Sequence, residues 1–132
     1  MKKIFGAVMS AAAMIVVPMV VHAADFDGSK PLICATTEAH DCEPGELCKR
    51  SLPQSVRAPQ FMRIDFAKQT VAGAKRTSPI RSMEKSKDLV ILHGTELDVG
   101  WSIAIDAESG ELTASYVGRG TAVIIFGACT PQ

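Results

Sequence analysis

The strongest constraint on the fold of this chain is a regular alternation of side chains near residue 100. Large apolar residues take every second position from residue 99 to residue 105: Val99, Trp101, Ile103 and Ile105. Successive side chains of a β-strand point to opposite faces, so this pattern predicts a strand with one buried face. Residues 60–67 repeat the pattern, with Met62, Ile64 and Phe66 on the apolar face. The chain is therefore expected to be mainly β.

The rest of the second half also divides into short strands and turns. Residues 89–92 and 123–126 are apolar on both faces, which is typical of strands covered on both sides. Gly110, Gly118 and Gly120 supply turn signals between the last strands. A meander of about seven such strands closes readily into a barrel without free edges. We expect an antiparallel meander forming a small up-and-down barrel or barrel-like sandwich, with a disulfide-tied N-terminal loop segment.

The interior of such a barrel is expected to be full. The inward stripe would draw on bulky residues from several strands: Met62, Ile64, Phe66, Trp101, Ile103, Ile105, Leu112 and Phe126. In this interpretation Trp101 is a core residue. If the strand ends splay instead, Trp101 and Tyr116 line a mouth that admits a small apolar ligand.

The N-terminus has the features of an export signal. Lys2 and Lys3 precede an uncharged stretch over residues 4–21, and the small residues around Ala23 predict cleavage between Ala23 and Ala24. A retained membrane anchor is the alternative, which Pro18 and the many alanines disfavour. We expect residues 1–23 to be a signal peptide and the mature chain to be a single domain in the bacterial periplasm or outside the cell, without a membrane anchor. Within it, residues 24–59 would be a cystine-rich lead-in and loop, and residues 60–132 the β-meander.

Four cysteines remain after such cleavage: Cys34, Cys42, Cys48 and Cys129. An even number of cysteines in an exported chain predicts disulfide bonds. Pro44-Gly45 favours a tight turn between Cys42 and Cys48, which pairs these two and leaves Cys34 for Cys129. The pairing of Cys34 with Cys42 and of Cys48 with Cys129 stays open, because spacing alone does not determine connectivity.

The sequence indicates no metal or cofactor. Cys34, His40, Asp41 and Cys42 are crowded together, but the chain has no CxxC pair and no CxxCH haem motif. Thiols exported to an oxidising compartment usually become disulfides instead of metal ligands. His40 is then expected to be a polar loop residue.

Enzymatic motifs are also lacking. Ser102, His93 and Asp106 would supply the residue types of a catalytic triad, yet there is no GxSxG elbow and no Gly-rich oxyanion loop. Asp106, Glu108 and Glu111 cluster in one turn, where acidic residues are common for reasons of solvation and backbone conformation. We expect no catalytic residue, with a hydrolase as the remote alternative.

Charge is balanced overall but uneven along the chain. The 14 basic and 14 acidic residues cancel, which argues against a nucleic-acid partner. Residues 68–88 are mainly basic, whereas residues 96–111 contain acidic residues and no basic one. Lys75, Arg76 and Arg81 are the candidates for binding an acidic protein or an anionic glycan. A solvated loop without a partner is the alternative.

The chain resembles small secreted bacterial proteins to which no function is assigned. The resemblance rests on residues 101–106, 109–115 and 126–131, together with Pro44-Gly45, Cys48 and residues 61–66. At the level of fold the pattern is similar to calycin barrels such as lipocalins, avidins and periplasmic lysozyme inhibitors. Because catalytic motifs are lacking, we expect a non-enzymatic exported binding domain. The similarity of fold implies its most concrete version, an inhibitor of a hydrolase such as lysozyme. A carrier of small apolar ligands, of the lipocalin or avidin kind, is the alternative.

Overall fold

The computed structural model describes residues 25–132, so the expected export signal and its cleavage point lie outside the described residues. The described chain is built almost entirely of strands, with a single 3₁₀ turn over Pro53–Val56. The strands are β1 (Leu32–Cys42), β2 (Lys49–Ser51), β3 (Phe61–Asp65), β4 (Thr70–Ala72), β5 (Thr77–Lys85), β6 (Leu89–Glu96), β7 (Val99–Asp106), β8 (Glu111–Gly118) and β9 (Thr121–Pro131).

The strands form a closed antiparallel barrel. From β3 to β9 each strand pairs with its sequence neighbour, and β1 closes the ring by pairing with β3 on one edge and β9 on the other. The short β2 pairs with the C-terminal part of β1 and does not belong to the ring of eight strands that β1 and β3 to β9 form. The expected mainly β fold with an up-and-down barrel is confirmed.

β1 is longer than the sequence predicted. Residues 38–42 were expected to belong to an acidic loop, but they continue β1 and pair with β9 up to Ala122. A bulge between Thr36 and Glu38 interrupts the ladder. Opposite it, a Cβ on Gly127 would lie 2.2 Å from the carbonyl oxygen of Ala35, so only glycine allows this close approach. Partner strands, rather than local sequence, therefore keep this polar segment extended.

The barrel interior is filled by apolar side chains. The largest fully buried ones include Leu32, Met62, Ile64, Leu92, Ile103, Ile105, Leu112 and Ile125. The expectation for Phe126 was wrong: its side chain is 41% exposed on the outer surface, and Ile125 points inward. Residues 123–126 are apolar on both faces, and the pairing of Ile125 with Ala114 of β8 decides which face is inside.

Loops cluster at the two ends of the barrel. We call the end with residues 43–60 and the turns at 73–76, 97–98 and 119–120 the upper end. The lower end carries residues 25–31 and the turns that follow β3, β5 and β7. There Phe26 packs closely on Gly110, and the Lys85 ammonium donates a 3.0 Å hydrogen bond to the Gly28 carbonyl. Residues 25–31, expected to be a loose lead-in, thus lie against the barrel.

Two disulfide bonds are present, Cys34–Cys129 and Cys42–Cys48. This is the first of the two pairings that the sequence left open. Cys34 and Cys129 lie directly opposite each other on β1 and β9, at the closure of the barrel. Both bonds are consistent with an oxidising compartment.

Candidate functional site

The upper end carries a small loop closed by a disulfide bond. Residues 42–48 form a turn in which the Glu46 amide donates to the Glu43 carbonyl at 3.3 Å, and the Cys42–Cys48 bond closes it. Leu47, next to the second cysteine, is 90% exposed. A cross-linked loop of this length holds its apolar side chain in solvent without the freedom to collapse onto the barrel.

The turn between β6 and β7 presents a second apolar side chain. Glu96 pairs with Val99, so Leu97 and Asp98 alone make the turn. Their φ angles are 47° and 63°, as a two-residue hairpin turn of this type requires. A left-handed backbone is uncommon for leucine, and the side chain is 70% exposed. The turn therefore displays Leu97 at some conformational cost.

The candidate basic residues Lys75 and Arg76 lie beside this turn. They are exposed in the connection between β4 and β5, which the Gly73 amide closes by donating to the Arg76 carbonyl at 2.8 Å. The Arg76 guanidinium is 3.7 Å from the Glu96 carboxylate, just before Leu97. Lys75, Arg76 and Leu97 thus belong to one stretch of the upper end, which we call the basic corner.

Arg81 does not belong to the basic corner. It lies on β5, five residues further along than Arg76, which corresponds to about 16 Å of extended strand. Its exposed side chain is on the outer wall of the barrel. Of the three basic residues predicted to bind a partner, the structure brings two together.

Trp101 is part of the core. Its side chain is 7% exposed, and the indole N–H donates a 3.0 Å hydrogen bond to the Ser78 hydroxyl. The ring fills the space beside Gly94, where a Cβ would lie 2.1 Å from Cζ2 of the indole. Trp101 is therefore packed beneath the upper end and does not line an open mouth.

Tyr116, the other candidate for ligand binding, lies beside Trp101 in the same interior layer. The two residues are opposite each other on β7 and β8, and Tyr116 packs against the core. Burial, with a smaller contribution from the negative charge of Glu96, raises the pKa of Tyr116 to about 12. The phenol is neutral at physiological pH and covers the core at this end.

The residues considered for catalysis are not assembled into a site. His93 and Ser102 are opposite each other on the outer surface of β6 and β7, and no hydrogen bond joins them in the described part of the chain. Asp106 instead accepts the amides of Ser109 at 2.7 Å and Glu108 at 3.0 Å. These hydrogen bonds hold the pKa of Asp106 below its ordinary value, and the hydrogen bond from Ser109 contributes most. Asp106 caps a turn.

One charged cluster was missed in the sequence. Nε2 of His40 lies 2.7 Å from one Glu38 carboxylate oxygen, and Arg50 of β2 donates to the other oxygen at 2.7 Å. The hydrogen bond to His40 is the main reason that the pKa of Glu38 is lowered. His40 also meets the Phe126 ring edge to face, with centroids 6.0 Å apart. His40 was expected in a loop, so its strand partners were not visible in the sequence.

The lower end has a groove between residues 28–31, the turn that follows β3 and the end of β5. It encloses about 200 Å³, and Phe66, Met83 and Lys85 are among the residues that line it. The Lys85 ammonium is 5.6 Å from the centre of the Phe66 ring, within the range of a cation–π interaction. Lys85 thus ties the N-terminal residues to this end of the barrel.

Residues 25–132 contain neither a helix that could span a membrane nor a cluster of metal-ligating side chains. Nothing helical there has the length and hydropathy of a membrane span. No group of three or more His, Cys, Asp or Glu side chains is arranged to hold a metal ion in that range.

Comparison of the chain with protein families, with characterised proteins and with solved structures gave no match.

Proposed function

We propose that this chain is an exported, non-enzymatic binding domain that recognises a partner protein with the upper end of its barrel. The observation that carries the proposal is the position of three exposed leucines, Leu47, Leu52 and Leu97, at the same end as Lys75 and Arg76. Large apolar side chains exposed at the same end of a domain as basic residues are a feature of protein interaction sites.

The presentation of these leucines also supports binding. Leu47 is held by the disulfide-closed loop and Leu97 by a two-residue turn. Residues already fixed in an exposed conformation lose little conformational entropy on binding, which raises affinity. Burying either side chain against a partner would contribute roughly 2 kcal/mol.

The charges of the basic corner favour an acidic partner. Lys75 and Arg76 provide two cations, of which Arg76 has a carboxylate, Glu96, at 3.7 Å. An acidic protein surface fits both the cations and the apolar Leu97, whereas an anionic glycan uses the cations alone. A hydrolase whose cleft contains catalytic carboxylates, such as lysozyme, is the most concrete partner. The carrier and hydrolase alternatives have less support, because Trp101 is buried and His93 has no catalytic partner within the described residues.

Charge reversal at the basic corner tests this proposal. We expect Lys75→Glu combined with Arg76→Glu to weaken binding to lysozyme, or to a protein retained from a bacterial envelope extract, by at least about tenfold. The measurement is biolayer interferometry on the mature, disulfide-bonded chain, with inhibition of cell-wall lysis as the activity readout for lysozyme.

The matched control reverses two charges at the lower end, Lys68→Glu with Lys87→Glu. This double variant has the same net charge as the test variant and should bind like the parent chain. The proposal is wrong if the test variant and the control variant bind equally well. It is also wrong if the parent chain binds no protein more tightly than the variant with Lys75→Glu and Arg76→Glu does. Leu97→Asp separates the apolar contribution from the charge contribution.

A further inference from the structure

Above their lower ends, where Asp106 and Glu111 face outward, four consecutive strands share a stretch of outer surface without an acidic or basic residue. The segments 91–95, 100–104, 113–117 and 122–126 lie side by side on β6, β7, β8 and β9 and contain no Asp, Glu, Lys or Arg. We call their outward side chains the uncharged wall. Solvated strands of a small exported protein ordinarily alternate an apolar residue inside with a polar or charged one outside.

The other outer strands of the same barrel follow that ordinary pattern. Exposed charged residues stand on the outside of β3 and β5, namely Arg63, Arg81 and Glu84. On β1 the outward position next to Phe126 is Glu38, which pairs with Arg50. The absence of charge is therefore a property of one wall and not of the composition.

The uncharged wall has small side chains in its middle and larger ones on both sides. The outward residues of the two central strands are small except for the exposed Val117; the small ones are Gly100, Ser102, Ala104, Thr113 and Ser115. Ile91 and His93 stand on β6 at one side, and Ile124 and Phe126 on β9 at the other. The outside of a barrel is convex, so two such walls approach most closely along the central strands and diverge at the flanks. Small residues in the middle permit this approach, and larger ones fill the widening gap.

We infer that the uncharged wall is a self-association surface that takes a second copy of this chain. A two-fold axis running along the strands between β7 and β8 would place β7 against β8 of the other copy and β6 against β9 of the other copy. The profile of side-chain size is nearly the same on both sides of this line, as a self-complementary face requires. A face without charge also meets its own copy without leaving a desolvated charge unpaired.

The size of the wall sets the expected strength of this association. Four strands span about 19 Å, and five residues along each strand span about 17 Å. This footprint is at the low end for protein interfaces, so the dimer should be weak and concentration-dependent. It leaves the upper end free, so this inference does not depend on the proposed function.

Sedimentation velocity of the mature, disulfide-bonded chain from about 10 µM to 1 mM tests the inference. We expect a monomer at the low end of this range and a dimer at the high end. Ser102→Glu places a carboxylate in the centre of the wall and should raise the dissociation constant at least about tenfold. The control is Ser55→Glu, the same substitution at an exposed position of the 3₁₀ turn Pro53–Val56, which belongs to none of the four strands of the wall and should associate like the parent chain.

A second measurement needs no substitution. Dilution of ¹⁵N-labelled chain should shift the backbone amide resonances of residues 100–104 and 113–117 and leave those of β3 unchanged. A chain that stays monomeric over the whole range overturns the inference, even if the same wall captures a different protein. Equal association of the Ser102→Glu and Ser55→Glu variants also overturns it, because the contact would then lie elsewhere.

Discussion

The two disulfide bonds of this protein hold regions of opposite character. Cys34 is fully buried, and its bond to Cys129 joins β1 to β9 across a separation of 95 residues. Cys42 and Cys48 are separated by six residues, and their bond closes a surface loop whose Leu47 points into solvent. The first bond joins two strands within the hydrogen-bonded closure of the barrel, whereas the second joins the last residue of β1 to a loop outside that closure.

The comparison separates two uses of the same covalent link. A bond between distant residues removes much of the entropy of the unfolded chain and so stabilises the whole fold. A bond across a short loop removes less of that entropy but fixes the shape of the loop. We therefore assign the Cys34–Cys129 bond to stability and the Cys42–Cys48 bond to presentation of the upper end.

Removal of each bond should produce the largest difference between the two regions. The double variant Cys34→Ala with Cys129→Ala lacks the long link, and its free energy of unfolding should be lower by about 4.7 kcal/mol. The double variant Cys42→Ala with Cys48→Ala lacks the short link, and its free energy of unfolding should be lower by about 2.4 kcal/mol. Urea unfolding followed by Trp101 fluorescence measures both. Equal losses would contradict the distinction, as would unchanged partner binding without the short bond.

Two glycines, one in each region, allow the same comparison with smaller expected effects. Gly127 lies two residues from Cys129, and a Cβ there would be 2.2 Å from the Ala35 carbonyl oxygen, whereas a Cβ on Gly45 would meet nothing within 4 Å. We expect Gly127→Ala to cost up to about 3 kcal/mol, because two paired backbones must move apart.

Gly45→Ala should cost only about 1 kcal/mol, from its positive φ of 79°. Thermal unfolding of the two single variants checks this pair. A Gly45→Ala variant less stable than Gly127→Ala would show that the loop, and not the closure of the barrel, limits stability.

Acid pH tests the segment between the two bonds, with the smallest effect of the three. Hydrogen bonding to His40 lowers the pKa of Glu38 below its ordinary value of 4.5. The ionised carboxylate therefore stabilises the fold above about that pH, and this contribution is lost as the pH falls through the lowered pKa. Glu38→Gln should reduce the acid dependence of the melting temperature in this window, whereas Glu84→Gln on β5 should reduce it less. Identical profiles for the two variants would exclude a stabilising role for the Glu38 cluster.

Much of the barrel could be predicted from local patterns. The alternation of residues 99–105 predicted β7, and Gly110, with a φ of 74°, lies in the turn that was expected there. The turn signal at Pro44-Gly45 favoured the pairing of Cys34 with Cys129 that the structure contains, although the sequence left a second pairing open. These predictions succeeded because period-2 burial and turn conformation depend on neighbouring residues.

Other features depend on partners far away in the sequence. Residues 38–42 are polar and have no apolar period, so only the presence of β9 beside them makes them a strand. In the candidate site, Lys75 and Arg76 were predicted, but the exposure of Leu47 and Leu97 was not, because a leucine gives no local sign that it will be left in solvent.

By itself the sequence determined the strand content, most of the turns and the residues available for disulfide bonds, because alternation and turn preferences are short-range properties of the backbone. Only the tertiary structure decided that Ile125 and not Phe126 faces the core, that Trp101 packs on Gly94, and that four uncharged segments form one wall. Each of these outcomes depends on the register between strands, and register is selected by the burial of all strands at once.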